Sequence, residues 1–476
     1  MSALRVPTLS VPPAFGWIGI ARLGLVQAML GAVVVLTTST LNRVMVVELA
    51  LPALLPGLLV ALHYAVQLSR PRMGYGSDVG GRRTPWIIGG IAVLASGGVM
   101  AAVATTWMAA DPSAGIALAV LGFTLVGGGV SAAGTSLLVL LAKRVDAARR
   151  ASAAALVWMM MIVGFAVTAG LAGHWLDPYT PERLVVVSAV VSAVAVAVAG
   201  LALWRLEGRA GPAVDSGPAA PRQAFMAALA QVWTEPDARR FTVFVFVSML
   251  AYSTQDLILE PFAGAVFGYT PGQSTQLSGV QHGGTLAGML LAALAGRRIR
   301  GARFGSLRAW TVGGCIASGL ALLGLVLAGT LAPHWPLRVN VFVLGVANGA
   351  FSIAAIGSMM SLAGAGRESR EGTRMGLWGA AQAIGFALGG LFGAVASDIA
   401  RRLLAGPGAG GEGSAYASVF LLEAGMFAAA AWLASRVAGS HAGSHAASPV
   451  EPPRPRPRRA TPPDAGADMP GLRTEG

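Results

Sequence analysis

Apolar residues come in long runs along this chain, and polar residues gather in short stretches between them. A membrane-crossing helix needs about 20 consecutive, mostly apolar residues. Twelve runs meet that length: 23–42, 53–69, 85–109, 114–141, 152–173, 183–204, 241–260, 275–296, 309–331, 337–363, 375–397 and 415–437. They fall into two sets of six, separated by a stretch rich in Gly and Pro between Glu207 and Arg240. The pattern predicts an all-α integral membrane protein of twelve transmembrane helices in two six-helix repeats. Its segments are an N-terminal arm (1–22), a first bundle (23–205), a linker (206–240), a second bundle (241–437) and a disordered tail (438–476). The linker holds an expected amphipathic helix near Phe225 to Trp233, and the tail carries the low-complexity run PPRPRPRRATPP.

Composition agrees with a membrane class. Of 476 residues 55% are hydrophobic and 12% charged, where soluble chains carry about 25% charged. The 64 glycines suit closely packed membrane helices. The net charge of +13 needs no nucleic acid to explain it, because it is concentrated in alternate loops. The loops after the second, fourth, eighth and tenth runs carry clusters such as Arg70, Arg72, Arg82, Arg83 and Lys143, Arg144, Arg149, Arg150. The alternate loops carry only Arg43, Arg183, Arg338, Arg401 and Arg402. Positive charge marks the cytoplasmic side, so both termini are expected there. The one cysteine, Cys315, excludes an internal disulfide.

Polar groups inside the runs are the functional candidates, because they are costly in lipid. Asn42 and Arg43 stand at the end of the first run and Glu48 in the turn that follows; Gln255, Asp256 and Glu260 lie in the seventh. Asp256 and Glu260, four apart, share a helix face. Two readings stand: the acids pair with Arg43 as an outer gate, or they sit wet in outer loops. His63, with Gln67 one turn on, and His282 stand at matching places in the two repeats. Either imidazole would bind a porphyrin-type metal or relay protons, or simply bond a neighbouring helix. No phosphate loop, Cys/His metal cluster or Asp-rich pair for a prenyl diphosphate with Mg²⁺ occurs, so neither a catalytic site nor a metal site of the protein's own is expected.

The loop Arg70–Trp86 reads RPRMGYGSDVGGRRTPW. Its spacing, with Gly74, Asp78, Gly81, Arg82 and Arg83, resembles the loop between helices 2 and 3 of the major facilitator superfamily. Asp78 is expected to cap a helix or pair with an arginine of the loop. More specifically, LNRVMVVEL (Leu41–Leu49), PALLPGLLVALHYAVQ (Pro52–Gln67), Arg70 to Gly90 and QDLILEP (Gln255–Pro261) together resemble the PucC/LhaA family of light-harvesting complex assembly proteins. The resemblance implies a major facilitator-type fold. It implies assembly of photosynthetic antenna, complex 1 (LH1) or complex 2 (LH2), the length and extended tail leaning toward LH1, with bacteriochlorophyll as bound cargo and His63, His282 and Gln67 as candidate pigment ligands. The implied partners are antenna polypeptides, reaction centre–LH1 intermediates, pigment-biosynthesis enzymes and membrane lipid. A proton-coupled secondary transporter of a small solute is the alternative, in which Asp256, Glu260, Glu48 and Arg43 titrate with transport.

Overall fold

A computed structural model describes residues 15–70, 82–146, 149–207, 233–295, 305–365, 371–404 and 409–437. Among them are twelve membrane-length or near-length helices. The first six are α1 (Trp17–Glu48), α2 (Leu54–Ser69), α3 (Thr84–Trp107), α4 (Pro112–Arg144), α5 (Arg150–Trp175) and α6 (Pro181–Leu203). The second six are α7 (Pro236–Phe267), α8 (Pro271–Ala295), α9 (Leu307–Leu331), α10 (Leu337–Ala365), α11 (Glu371–Leu404) and α12 (Ala409–Val437). Ten are long and apolar enough to cross a membrane. Helix α2 is shorter, and α8 is diluted by a buried polar face of Ser274, Thr275, Ser278, Gln281, His282 and Thr285.

Local chemistry sets the ends. Asp111 accepts from the backbone N–H groups of Ser113 and Ala114 ahead of α4, and Thr180 and Ser306 cap α6 and α9. Pro112, Pro181 and Pro236 occupy first turns, where their missing N–H costs nothing. Gly268, at φ 67°, closes α7 in the left-handed conformation. Helix α1 starts at Trp17, inside the stretch assigned to the arm, with exposed Trp17 and Ile18 as its lipid-side anchors. Helix α7 likewise starts five residues before the expected 241.

The packing repeats. In the first six helices α1 packs on α5 and α6, α3 on α4 and α6, and α2 on α4. In the second six α7 packs on α11 and α12, α9 on α10 and α12, and α8 on α10. The halves then meet through two equivalent seams, α2 against α11 and α5 against α8. This is the two-repeat plan of secondary transporters. Most buried apolar side chains fill one half or the other, for example Phe244, Phe262, Phe351 and Phe420 in the second, while Leu257 and Ala394 of the second half pack against the first. Glycine lets α8 and α10 touch: a Cβ on Gly349 would stand 1.9 Å from the Thr285 carbonyl oxygen. An even number of spans returns both ends of the described chain to one end of the bundle, called here the terminal end; the other is the far end.

Candidate functional site

Helix α1 does not run regularly to its C-terminus. The hydroxyls of Thr37 and Thr38 donate back to the carbonyls of Val33 and Val34, which loosens the helical ladder. Two π-helical turns follow, Leu36–Thr40 and Val44–Glu48, with Asn42 and Arg43 between them. Such turns place side chains where a regular helix would not. Asn42 donates to the carbonyl of Leu257 on α7 at 2.6 Å. Arg43 donates to the carbonyl of Tyr269, in the α7–α8 connection, at 2.6 Å, and pairs with Glu48 at 2.5 Å. The Thr40 and Thr275 hydroxyls meet at 3.0 Å. The Arg43 guanidinium lies directly over Gly264, where a Cβ would stand 2.8 Å from it.

These contacts seal the far end, and the seal differs from the expected gate. Arg43 pairs with Glu48 of its own helix and not with Asp256 or Glu260. The acids are instead bound within the second half. Glu260 accepts from the Ser278 hydroxyl at 2.5 Å, and Asp256 accepts from the Gln281 amide at 3.2 Å. Nor do they sit wet in outer loops: both lie within α7, Glu260 buried and Asp256 half-buried. Gln255 is buried with neither polar side-chain atom hydrogen-bonded.

Two further acids complete the seal. Asp398, near the end of α11, accepts from the N–H groups of Ala53 and Leu54 at 3.0 and 2.8 Å, capping the start of α2 across the seam. Asp177, just past α5, accepts from the Thr270 hydroxyl at 2.6 Å, just before α8 begins. Each seam thus carries an acid from the end of the fifth or eleventh helix on the start of the eighth or second. Neither was singled out from sequence, where an isolated Asp near a helix end reads as a loop residue.

Nearer the middle of the seams stand the two histidines. His63 is buried, and its Nε2 accepts from the Gln67 amide at 2.8 Å; its Nδ1 has no partner. Gln67 in turn accepts from Arg70. The lone pair a metal would need is therefore taken. In His282 the Nδ1–H donates to the Ser278 carbonyl at 2.8 Å, which leaves the lone pair on Nε2. The Phe165 ring meets His282 edge-on, with centroids 4.9 Å apart. The other seam matches it with Tyr64 stacked on Phe386 at 5.5 Å. Phe165 and Phe386 hold equivalent places on α5 and α11.

Gly74, Asp78 and Gly81 lie outside the described residues, as do linker residues 208–232 and the tail. Arg82 and Arg83 lead into α3. The start of α3 is capped from elsewhere: Glu207, just past α6, accepts from the N–H groups of Arg83 and Thr84 and from the Thr84 hydroxyl, at 2.6 to 2.7 Å. Burial alone would raise the Glu207 carboxyl. Those hydrogen bonds and the Arg83 charge outweigh it and hold the group below its ordinary value.

A family described as PUCC protein matches residues 40–442. The chain belongs to the PUCC family. The match begins within the first π-helical turn and runs past α12, so it takes in the whole far-end seal and both histidines. The chain is 52% identical over 426 residues to the protein named bacteriochlorophyll synthase 44.5 kDa chain of Rhodobacter capsulatus, covering 89% of this chain and 96% of that one. It is 31% identical over 431 residues to Protein PucC of Cereibacter sphaeroides, covering 85% and 88%. Among solved structures it resembles a bacterial homolog to the human lysosomal transporter Spinster, crystallised inward-facing and unoccupied, with TM-score 0.62, 17% identity and 88% and 96% coverage. It also resembles the nucleoside transporter NupG, with TM-score 0.60, 13% identity and 87% and 98% coverage. These likenesses give the PUCC-family chain a major facilitator-type, multi-pass membrane fold. One buried ionisable residue was passed over in the sequence: Glu423, fully buried midway along α12. An acid in the middle of an apolar run was the signal for it.

Proposed function

We propose that this protein is an assembly factor for the photosynthetic antenna that binds bacteriochlorophyll and delivers it to antenna polypeptides within the membrane. The observation that carries the reading is family membership over residues 40–442, together with 52% identity to a protein whose name ties it to bacteriochlorophyll. Despite that name, the reading is non-catalytic, since the sequence holds no Asp-rich pair to grip a prenyl diphosphate through Mg²⁺. Family membership favours a bacterial inner, photosynthetic membrane, and the positive loops favour both termini on its cytoplasmic side. The partners in this reading are LH1 antenna polypeptides, reaction centre–LH1 intermediates and the enzymes that make the pigment.

The two histidines differ as ligands. His282 has a fixed tautomer with Nε2 unspent, and a ring edge from Phe165 beside it to contact a flat macrocycle. His63 would have to give up Gln67 first. We therefore assign His282, at the α5–α8 seam, as the magnesium ligand. A pigment that partitions into lipid reaches a seam between halves from the side, without an aqueous route. The test is the absorption spectrum of protein purified in mild detergent from a phototrophic host. A co-eluting bacteriochlorophyll band is expected for the wild type and for His63→Ala, and its loss for His282→Ala. A band retained in both variants removes the histidines as ligands, and absence of any band in the wild type overturns pigment binding.

A second reading rests on a separate observation, the buried acids Glu260 and Glu423 in a transporter fold. In a proton-coupled transporter these groups carry the proton, and uptake of a small solute follows the pH gradient.

A further inference from the structure

At the terminal end, α1 and α6 leave an open cavity of about 590 Å³ between them, lined by Arg22, Leu201, Trp204 and Arg205. It is separate from both seams. Arg22 donates to the carbonyl of Ala202 at 2.8 Å and to that of Trp204, so it holds down the last turn of α6 and keeps its own place. The chain then turns sharply, with Arg205 at φ 53°, in the left-handed region a residue with a side chain seldom adopts. That conformation puts a second guanidinium on the wall of the cavity. Glu207, the nearest acid in sequence, is occupied in capping α3 and does not neutralise it. Leu201 and Trp204 are 72% and 67% exposed. They sit where a spanning helix leaves the hydrocarbon, the depth at which Trp collects.

We infer that this cavity binds the headgroup of an anionic phospholipid, with the phosphate against Arg22 and Arg205 and the upper acyl chain along Leu201 and Trp204. Guanidinium groups fit phosphate oxygens through paired N–H donors. Basic pockets at the ends of membrane helices take anionic headgroups for this reason. The apolar half of the wall argues for a lipid over free phosphate, which would leave Leu201 and Trp204 uncovered. The strained turn gives the site a local cause, since a relaxed backbone at 205 would carry the side chain elsewhere.

The test uses the full chain in detergent, with phosphatidylglycerol, phosphatidylcholine or inorganic phosphate added and bound lipid counted by native mass spectrometry. Phosphatidylglycerol is expected to be retained in preference to phosphatidylcholine, and Arg205→Gln to weaken that retention about fivefold, the worth of one basic residue at a membrane surface. Arg205→Lys should restore most of it. Among the described residues Arg205 makes no side-chain hydrogen bond or ion pair, so its variants are expected to keep the wild-type melting temperature; Arg22→Gln is the less clean variant because it also frees the end of the helix. Equal retention of the two lipids, or an unchanged profile in Arg205→Gln, overturns the site. Displacement of the lipid by millimolar inorganic phosphate would assign the cavity to free phosphate and overturn the lipid.

Discussion

Arg43 and Glu48 show how much one pair depends on local winding. Residues five apart on an α-helix, at about 100° each, point to different faces. The π-helical turn Val44–Glu48 winds more widely and brings the acid under the guanidinium. Arg43 is 2% exposed and Glu48 35%. Losing one partner is therefore not equivalent to losing the other. Glu48→Gln leaves a cation buried with only carbonyl partners, which costs about 3 kcal/mol. Arg43→Met fills the same space with an apolar stem and leaves an acid that reaches water, which costs about 1 kcal/mol. Thermal unfolding in detergent should rank Glu48→Gln well below Arg43→Met, with the double variant close to Arg43→Met. The reverse order would mean that the carboxylate, not the cation, depends on the pair. The sequence pointed to Asn42, Arg43 and Glu48 but not to Thr275, and of its two readings the one that paired Arg43 set it against Asp256 and Glu260, where the structure has Glu48. The hydroxyl run Thr37–Thr40, which loosens α1, was the feature that held the information.

At the scale of elements, the helices were legible and their tethers were not. A window of apolar residues reports a bilayer crossing directly, so all twelve spans could be read, and only their ends moved. Caps supplied from a distant element leave no local pattern. Helix α3 has no capping side chain of its own; Glu207, more than a hundred residues later, supplies it. The sequence offered Asp78 for that kind of role because it is near. The consequence is a pH dependence with a definite sign. The Glu207 carboxyl is held below its ordinary 4.5 in the folded chain. Its contribution is therefore fully present above pH 4.5 and is lost as pH falls below that, through the folded value. Glu207→Gln should lower the melting temperature at neutral pH, by an amount equivalent to about 1 kcal/mol for a lost cap. It should also flatten the acid limb of the stability curve. A wild-type slope below pH 4.5 that survives in Glu207→Gln would show that other carboxylates set it.

For the whole molecule, the two halves are joined most visibly at the far end. Asn42, Arg43, the Thr40–Thr275 contact, Asp177 and Asp398 all cross between them there. A transporter that alternates must break such a set on every cycle. An assembly factor that takes a lipid-soluble pigment through a side seam need not, and its far end can stay shut as a rigid hinge for the seams. The repeat symmetry was visible in sequence as the matching places of His63 and His282 in the two sets of six runs. The paired Asp latches were not, because each joins residues more than ninety positions apart. Locking the far end separates the two modes. The Thr40 and Thr275 hydroxyls are 3.0 Å apart, so Thr40→Cys with Thr275→Cys, in a Cys315→Ser background, should cross-link under mild oxidation. The oxidised protein is expected to keep its bacteriochlorophyll band and to support antenna assembly in pigment-loaded membranes as well as the reduced form does. If oxidation abolishes assembly and reduction restores it, the far end must open. The buried acids of α7 and α12 would then belong to a transport cycle and not to a static scaffold.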